Sequence, residues 1–178
     1  HYWTVTRDPG GTGSEYRDVV YNATAGAAWV VGEFALTSNT TYLITQGLND
    51  DNGNVVWTWY DAGSDGESDD ASTLSLGSDG FLYVAGDIGY PVGGDSAACI
   101  KLNRTSGNMV WENNGPRGHH HAVLYHGDGY VYAAGEFNNY STNEDDILLS
   151  RYNATTGQDL WGVSWDLGDD DECNAFIF

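Results

Sequence analysis

Lysine occurs once in this sequence, at Lys101, and the 6 basic residues face 26 acidic ones, a net charge of −20. Such a surface repels phosphate backbones and anionic headgroups, so nucleic acid is excluded as a partner. No apolar run approaches the roughly 20 residues that cross a bilayer as a helix, so membrane insertion is not expected. The chain has neither an initiator Met nor a secretory apolar region, which leads us to expect a mature protein or a piece of one. Two cysteines are too few for a disulfide framework. Cys99 and Cys173 are left as one disulfide or as two free buried thiols. Ala- or Leu-rich amphipathic stretches are missing, and so are Gly-x-Ser-x-Gly, P-loop, Cys-x-x-Cys and dinucleotide fingerprints.

What is abundant is aromatic and small. With 7 Trp, 12 Tyr, 5 Phe and 24 Gly, the composition favours strands joined by tight turns. Asn-x-Ser/Thr sequons stand at Asn22, Asn39, Asn103, Asn139 and Asn153. They make N-linked glycans and an extracellular or cell-surface location the expectation. Asn103 and Asn153 also suit plain turn formation.

The chain repeats itself. Aligned on Gly32, Gly86 and Gly135, it places Trp29, Tyr83 and Tyr132 together, then the acids Glu33, Asp87 and Glu136, and before them Val19, Thr73 and Ala122. Asn49, Asn103 and Asn153 each precede a glycine by four residues, at Gly53, Gly107 and Gly157. Trp3, Trp57, Trp111 and Trp161 follow at intervals of 54, 54 and 50 residues. Turn signals split each unit into about four short strands. Four antiparallel strands per roughly 50 residues predict an all-β fold, a β-propeller of four-stranded blades. We place complete blades at 17–57, 71–111 and 120–161. "HYWTVT" (1–6) reads as a stray last strand, and "DECNAFIF" (171–178) as a stray first strand.

The segments "GDGYVYAAGEF", "DDILLSRYN" and "TTGQDLW", with their second-blade counterparts, resemble the SBBP-type seven-bladed propeller repeats, with kinship to quinoprotein-like repeats. The resemblance covers nearly the whole chain and implies a propeller fold. It implies little about function. Because a closed propeller needs four to eight blades, the incomplete ends suggest a section of a longer propeller, strand exchange between neighbouring chains, or an unusual closure. Self-association through the unfinished blade edges is expected.

Several residues are candidates for chemistry. His119, His120, His121 and His126 lie close together in "GHHHAVLYH". Strand alternation sends His119 and His121 to one face, so they are candidate metal ligands together with Asp69 and Asp70. The acid turns 61–70 and 166–172 could hold Ca²⁺; no other cofactor is expected. "NDDNGN" (49–54) looks similar but occupies a hairpin turn. Glu33, Asp87 and Glu136, facing Asp95 or Asp145 across the variable loop, suggest paired carboxylate chemistry. Their recurrence in every unit suggests a copied scaffold contact instead. The expected function is therefore a non-enzymatic extracellular structural or adhesive glycoprotein, a surface scaffold or filament subunit. The alternative is a carbohydrate-binding or carbohydrate-active propeller with its site at the channel mouth and sugar-stacking Tyr90 and Tyr140.

Overall fold

The computed structural model describes residues 13–37, 40–61, 69–89, 94–139, 141–142, 144–168, 170–171 and 173–175, with backbone only at 36–37. The expected strand at 1–6, the sequon at Asn39, the loop tyrosines Tyr90 and Tyr140 and most of the acid turn 61–70 lie outside the described residues.

The described chain is all-β and antiparallel, with no helix among its described residues. Its strands are β1 (Gly13–Asn22), β2 (Ala27–Thr37), β3 (Thr40–Asn49), β4 (Val55–Tyr60), β5 (Asp70–Leu76), β6 (Phe81–Ile88), β7 (Ser96–Asn103), β8 (Met109–Tyr125), β9 (Tyr130–Asn139), β10 (Glu144–Asn153) and β11 (Asp159–Trp165). Strands β1 to β4 form one sheet in sequence order, and β5 to β11 form another. The first half of β8 pairs with β7 and its second half, from Gly118, with β9. The second sheet therefore holds two four-stranded units that share one 17-residue strand. The sequence reading splits that strand in two after Trp111. In the structure the intervening residues stay extended, because each half finds a ladder partner on one side.

Each unit packs face to face on the next. Trp29, Val31 and Leu43 of the first unit meet Leu74, Leu82, Val84, Ile100 and Leu102 of the second. On the second unit's other face, Tyr83, Cys99 and Trp111 meet Val123, Val131, Ala133, Tyr152 and Ala154 of the third. A strand buried on both faces loses its polar/apolar alternation, which accounts for the unbroken apolar run in β6.

The repeating residues have local tasks. Asn103 Oδ1 accepts the amides of Thr105 and Ser106, and Asn153 Oδ1 those of Thr155 and Thr156. Each turn ends on a glycine at φ 73°, in the left-handed region that glycine enters without cost. The tryptophan ending one unit then lies on the glycine of the next unit's turn. A methyl group on Gly107 would come within 2.5 Å of Trp57, and one on Gly157 within 2.7 Å of Trp111. The Trp57 indole donates to Arg104 O at 3.0 Å, and Trp111 to Ala154 O at 3.1 Å.

One alignment needs correction. Gly32, Gly86 and Gly135 pair with Tyr16, Ala71 and His120, and a bulge follows each of these. Beyond it the equivalent residues are Asp18, Thr73 and Ala122, so Val19 falls one position out. The cause is the β1–β2 turn: Tyr21 pairs with Ala28, whereas Leu76 pairs with Leu82 and Tyr125 with Val131. The first turn is one residue longer.

Of the expected stray strand at 171–178, residues 171 and 173–175 are described and none lies in a ladder. The Asp171 amide nonetheless donates to Asp145 O, as Asp69 does to Thr41 O and Gly118 to Asp95 O where the first strands of the second and third units begin. The cysteines are not paired: both are free thiols. Cys99 is fully buried between the second and third units, and burial raises its thiol pKa. Cys173 is half-buried beside β9, its amide on Gly135 O.

Candidate functional site

The bulge on each first strand decides which side chains reach the seams between units. At the first seam Arg17, the bulged residue of β1, extends toward three carboxylates. Its guanidinium lies 2.5 Å from Asp70 Oδ2, 2.9 Å from Glu15 Oε1 and 3.5 Å from Glu33 Oε2. Asp70 belongs to the second unit, so the contact ties two units together. Burial lifts the Asp70 pKa to about 6 in spite of Arg17.

At the second seam imidazoles take that part. His119 Nδ1 lies 2.8 Å from Asp87 Oδ1 of the second unit. Its Nε2 faces Asp95 Oδ2 at 3.9 Å and Glu136 Oε1 at 3.7 Å. Hydrogen bonding to Asp87 raises the His119 pKa to about 9. His121, the bulged residue, stacks roughly parallel to His119 with ring centres 6.2 Å apart. Its Nε2 lies 3.5 Å from Glu136 Oε2. His120 points the other way, fully buried, with Nδ1 3.2 Å from Ala98 O and Nε2 3.4 Å from Ser150 Oγ. Burial lowers its pKa to about 4, so it is a neutral core group.

The ligand set read from sequence is thus redrawn. His119 and His121 do share a site, but Asp69 and Asp70 do not complete it. Asp70 is held by Arg17 at the other seam. Asp69 is fully buried, with Oδ1 accepting the Gly89 amide at 3.0 Å and Oδ2 without a hydrogen-bond partner among the described residues. The carboxylates around the imidazoles are Asp87, Asp95 and Glu136. Two of them lie in the acid positions that recur in every unit, and their spacing after the anchor glycine is the signal that picks them out. Asp87 and Asp95 come from a different unit than the histidines, and that pairing is tertiary.

In the acid turn 166–172 the described aspartates accept backbone amides. Asp166 Oδ1 accepts the Gly168 amide, Asp171 Oδ2 the Leu167 amide and Asp170 Oδ1 the Asp145 amide. Asp166 and Asp171 hold their own loop, and Asp170 ties it to β10. The lone lysine is a buried staple: Lys101 Nζ reaches Asp79 Oδ2 at 3.0 Å and Ala154 O at 2.7 Å, over the Phe81 ring. Nothing in the sequence marks Lys101 as buried, and only the packing of the second unit on the third shows it.

Fold and site together define an all-β chain of repeating antiparallel units with ionic clusters at its seams. No family model and no curated protein matches the chain. Among solved structures it is similar to one from Bacteroides fragilis provisionally described as a 6-phosphogluconolactonase, with 15% identity and a TM-score of 0.47. The match covers 90% of this chain and 40% of that one, so the chain spans two fifths of that protein's length. The expectation of a non-enzymatic chain is not upheld: that structure bears an enzyme's name, and missing motifs do not exclude an activity. At this distance the likeness assigns neither substrate nor activity here.

Proposed function

We propose that the chain forms three consecutive blades of a β-propeller and serves outside the cell as a surface scaffold that joins further units of its own kind. One observation carries this reading. The face of the third unit carries Trp161 in the place that Trp57 and Trp111 hold at the internal seams, and among the described residues no turn of a further unit lies on it. Trp111, seated on the next turn, is 8% exposed, whereas Trp161 is 37% exposed. At the opposite end Val19 is 60% exposed, while its equivalents Leu74 and Val123 are 4% and 8% exposed. The two open faces are thus the two halves of one seam. Met109 and Val110 are also exposed, at 48% and 49%, but they lie on an outer strand of a covered unit, whereas Trp161 and Val19 stand on the two open faces.

Sedimentation over a range of concentrations tests the assembly. The expected result is concentration-dependent association that Trp161→Ala weakens at least tenfold, the melting temperature changing little because the indole is partly in water. A wild-type chain that stays monomeric at every concentration would contradict the reading.

The sequons support an extracellular setting and differ in geometry. Asn103 and Asn153 cap their turns through Oδ1 alone, which leaves Nδ2, the atom that carries glycan, out of the turn. Asn139 Nδ2 instead donates to Asp146 Oδ2 at 3.1 Å. Enzymatic removal of Asn-linked glycan from the secreted protein is expected to lower its mass, with occupied sites mapping to Asn103 and Asn153 before Asn139. No change in mass would count against the secreted glycoprotein.

A further inference from the structure

We propose that the second seam binds one divalent first-row transition-metal ion through His119 Nε2, Asp95 and Glu136, with Asp87 and His121 as supporting groups. Asp87 Oδ1 sits 2.8 Å from His119 Nδ1, the arrangement in which a carboxylate fixes the tautomer and aims the other ring nitrogen at an ion. That nitrogen faces Asp95 Oδ2 at 3.9 Å and Glu136 Oε1 at 3.7 Å. These separations are too long for hydrogen bonds. They are close to what a shared ion produces: ligands at about 2.1 Å in a tetrahedral shell stand roughly 3.4 Å apart. The atoms that already lie within 4.8 Å of one another are those of Asp87, Asp95 and His119, so Glu136 and Asp95 must draw together to share the ion on the far ring nitrogen.

His121 supplies a second, independent mark. Its Nε2 is shielded from solvent and makes no hydrogen bond among the described residues, yet it lies 3.5 Å from the other Glu136 oxygen. A small movement would let it donate to that carboxylate and orient it. Asp95 precedes β7 and Asp87 lies on β6, while His119, His121 and Glu136 lie on β8 and β9. A bound ion would therefore clip the second unit to the third. The first seam differs in kind. Its cation is the Arg17 guanidinium, permanently charged and unable to ligate a metal, whereas an imidazole can give up its proton and bind one. One imidazole with two carboxylates suits zinc, cobalt or manganese better than calcium, which takes six or more oxygens.

The test uses the whole chain, freed of metal with a chelator and titrated with Zn²⁺ and, in parallel, Co²⁺ and Ca²⁺. The expected result is one equivalent of Zn²⁺ bound, visible Co²⁺ absorption bands of low coordination number, and a melting temperature raised by roughly 5–10 °C at hundredfold excess over Kd. His119→Gln and Glu136→Gln are expected to lose at least tenfold in affinity. Asp87→Asn is expected to lose 10- to 100-fold, as a positioning group does. His126→Gln, in the turn beyond β8 and paired with Asp128, is expected to bind as the wild type does. No Zn²⁺ bound by the wild-type chain, binding unchanged in both Gln variants, or Ca²⁺ preferred over Zn²⁺ would each overturn the proposal. The wild-type titration decides even if a variant fails to fold.

Discussion

Gly86→Ala is expected to cost more than about 3 kcal/mol and to lower the melting temperature by about 10 °C. A Cβ at Gly86 would lie 1.9 Å from the Asp70 carbonyl oxygen and 2.8 Å from the Ala71 Cα. Both are backbone atoms of the neighbouring strand, so no side chain can swing aside. The strand must move away, and with it the bulge that presents the seam residues. Gly32 and Gly135 carry the same contact, each 1.9 Å from the carbonyl oxygen of Glu15 or His119. The control is Gly162→Ala in β11, where the nearest atom to a new Cβ is Ser150 Oγ at 3.7 Å; its effect is expected within about 1 kcal/mol. Thermal and denaturant unfolding of the two variants checks this. A Gly86→Ala protein melting within two degrees of the wild type would show that the bulge does not require glycine.

Asp69→Asn is expected to act in the opposite sense, stabilising the fold at neutral and alkaline pH. Burial raises the Asp69 pKa to about 7, and the nearby Asp61, Asp87 and Glu112 add to this against the Gly89 hydrogen bond. A folded-state pKa above the unfolded value of 3.8 means that the native state binds the proton more tightly. The penalty of a buried carboxylate is therefore fully present above pH 7, shrinks as pH falls, and is gone below about 4. Asparagine keeps an oxygen for the Gly89 amide and removes the charge. The expected gain is about 2–4 kcal/mol at pH 8, vanishing near pH 4, with a residual slope in the variant from Asp70. Denaturant unfolding at intervals between pH 4 and 8 measures it. Parallel stability curves for variant and wild type would show that Asp69 carries no such penalty.

How far the candidate site can be read from sequence depends on the range of the interaction. The histidine pair is legible because strand alternation and one bulge put His119 and His121 on the same side. The acids Asp87 and Glu136 are legible as a recurring position, though not as its partners. Asp69 and Asp70 are adjacent in sequence and look alike there, yet they part completely. Asp70 finds a guanidinium from the preceding unit, and Asp69 is enclosed on its amide partner, the Gly89 N–H. The cysteines, too, look like a pair by count, while the fold buries Cys99 within a seam that Cys173 does not enter.

The turns, the spacing of the repeating units and most of their strands are legible in the sequence, because those depend on constraints spanning a few residues. Asn103 and Gly107 close a turn, Gly86 admits a neighbouring carbonyl, and a tryptophan ends each unit. Which unit's acid meets which unit's cation, where β8 serves two ladders, and which tryptophan is covered emerge only from the packing of one unit on the next. The physical reason is that burial and ion pairing across a seam depend on a neighbouring sheet. Trp111 and Trp161 hold the same place in the repeat and differ only in what lies against them.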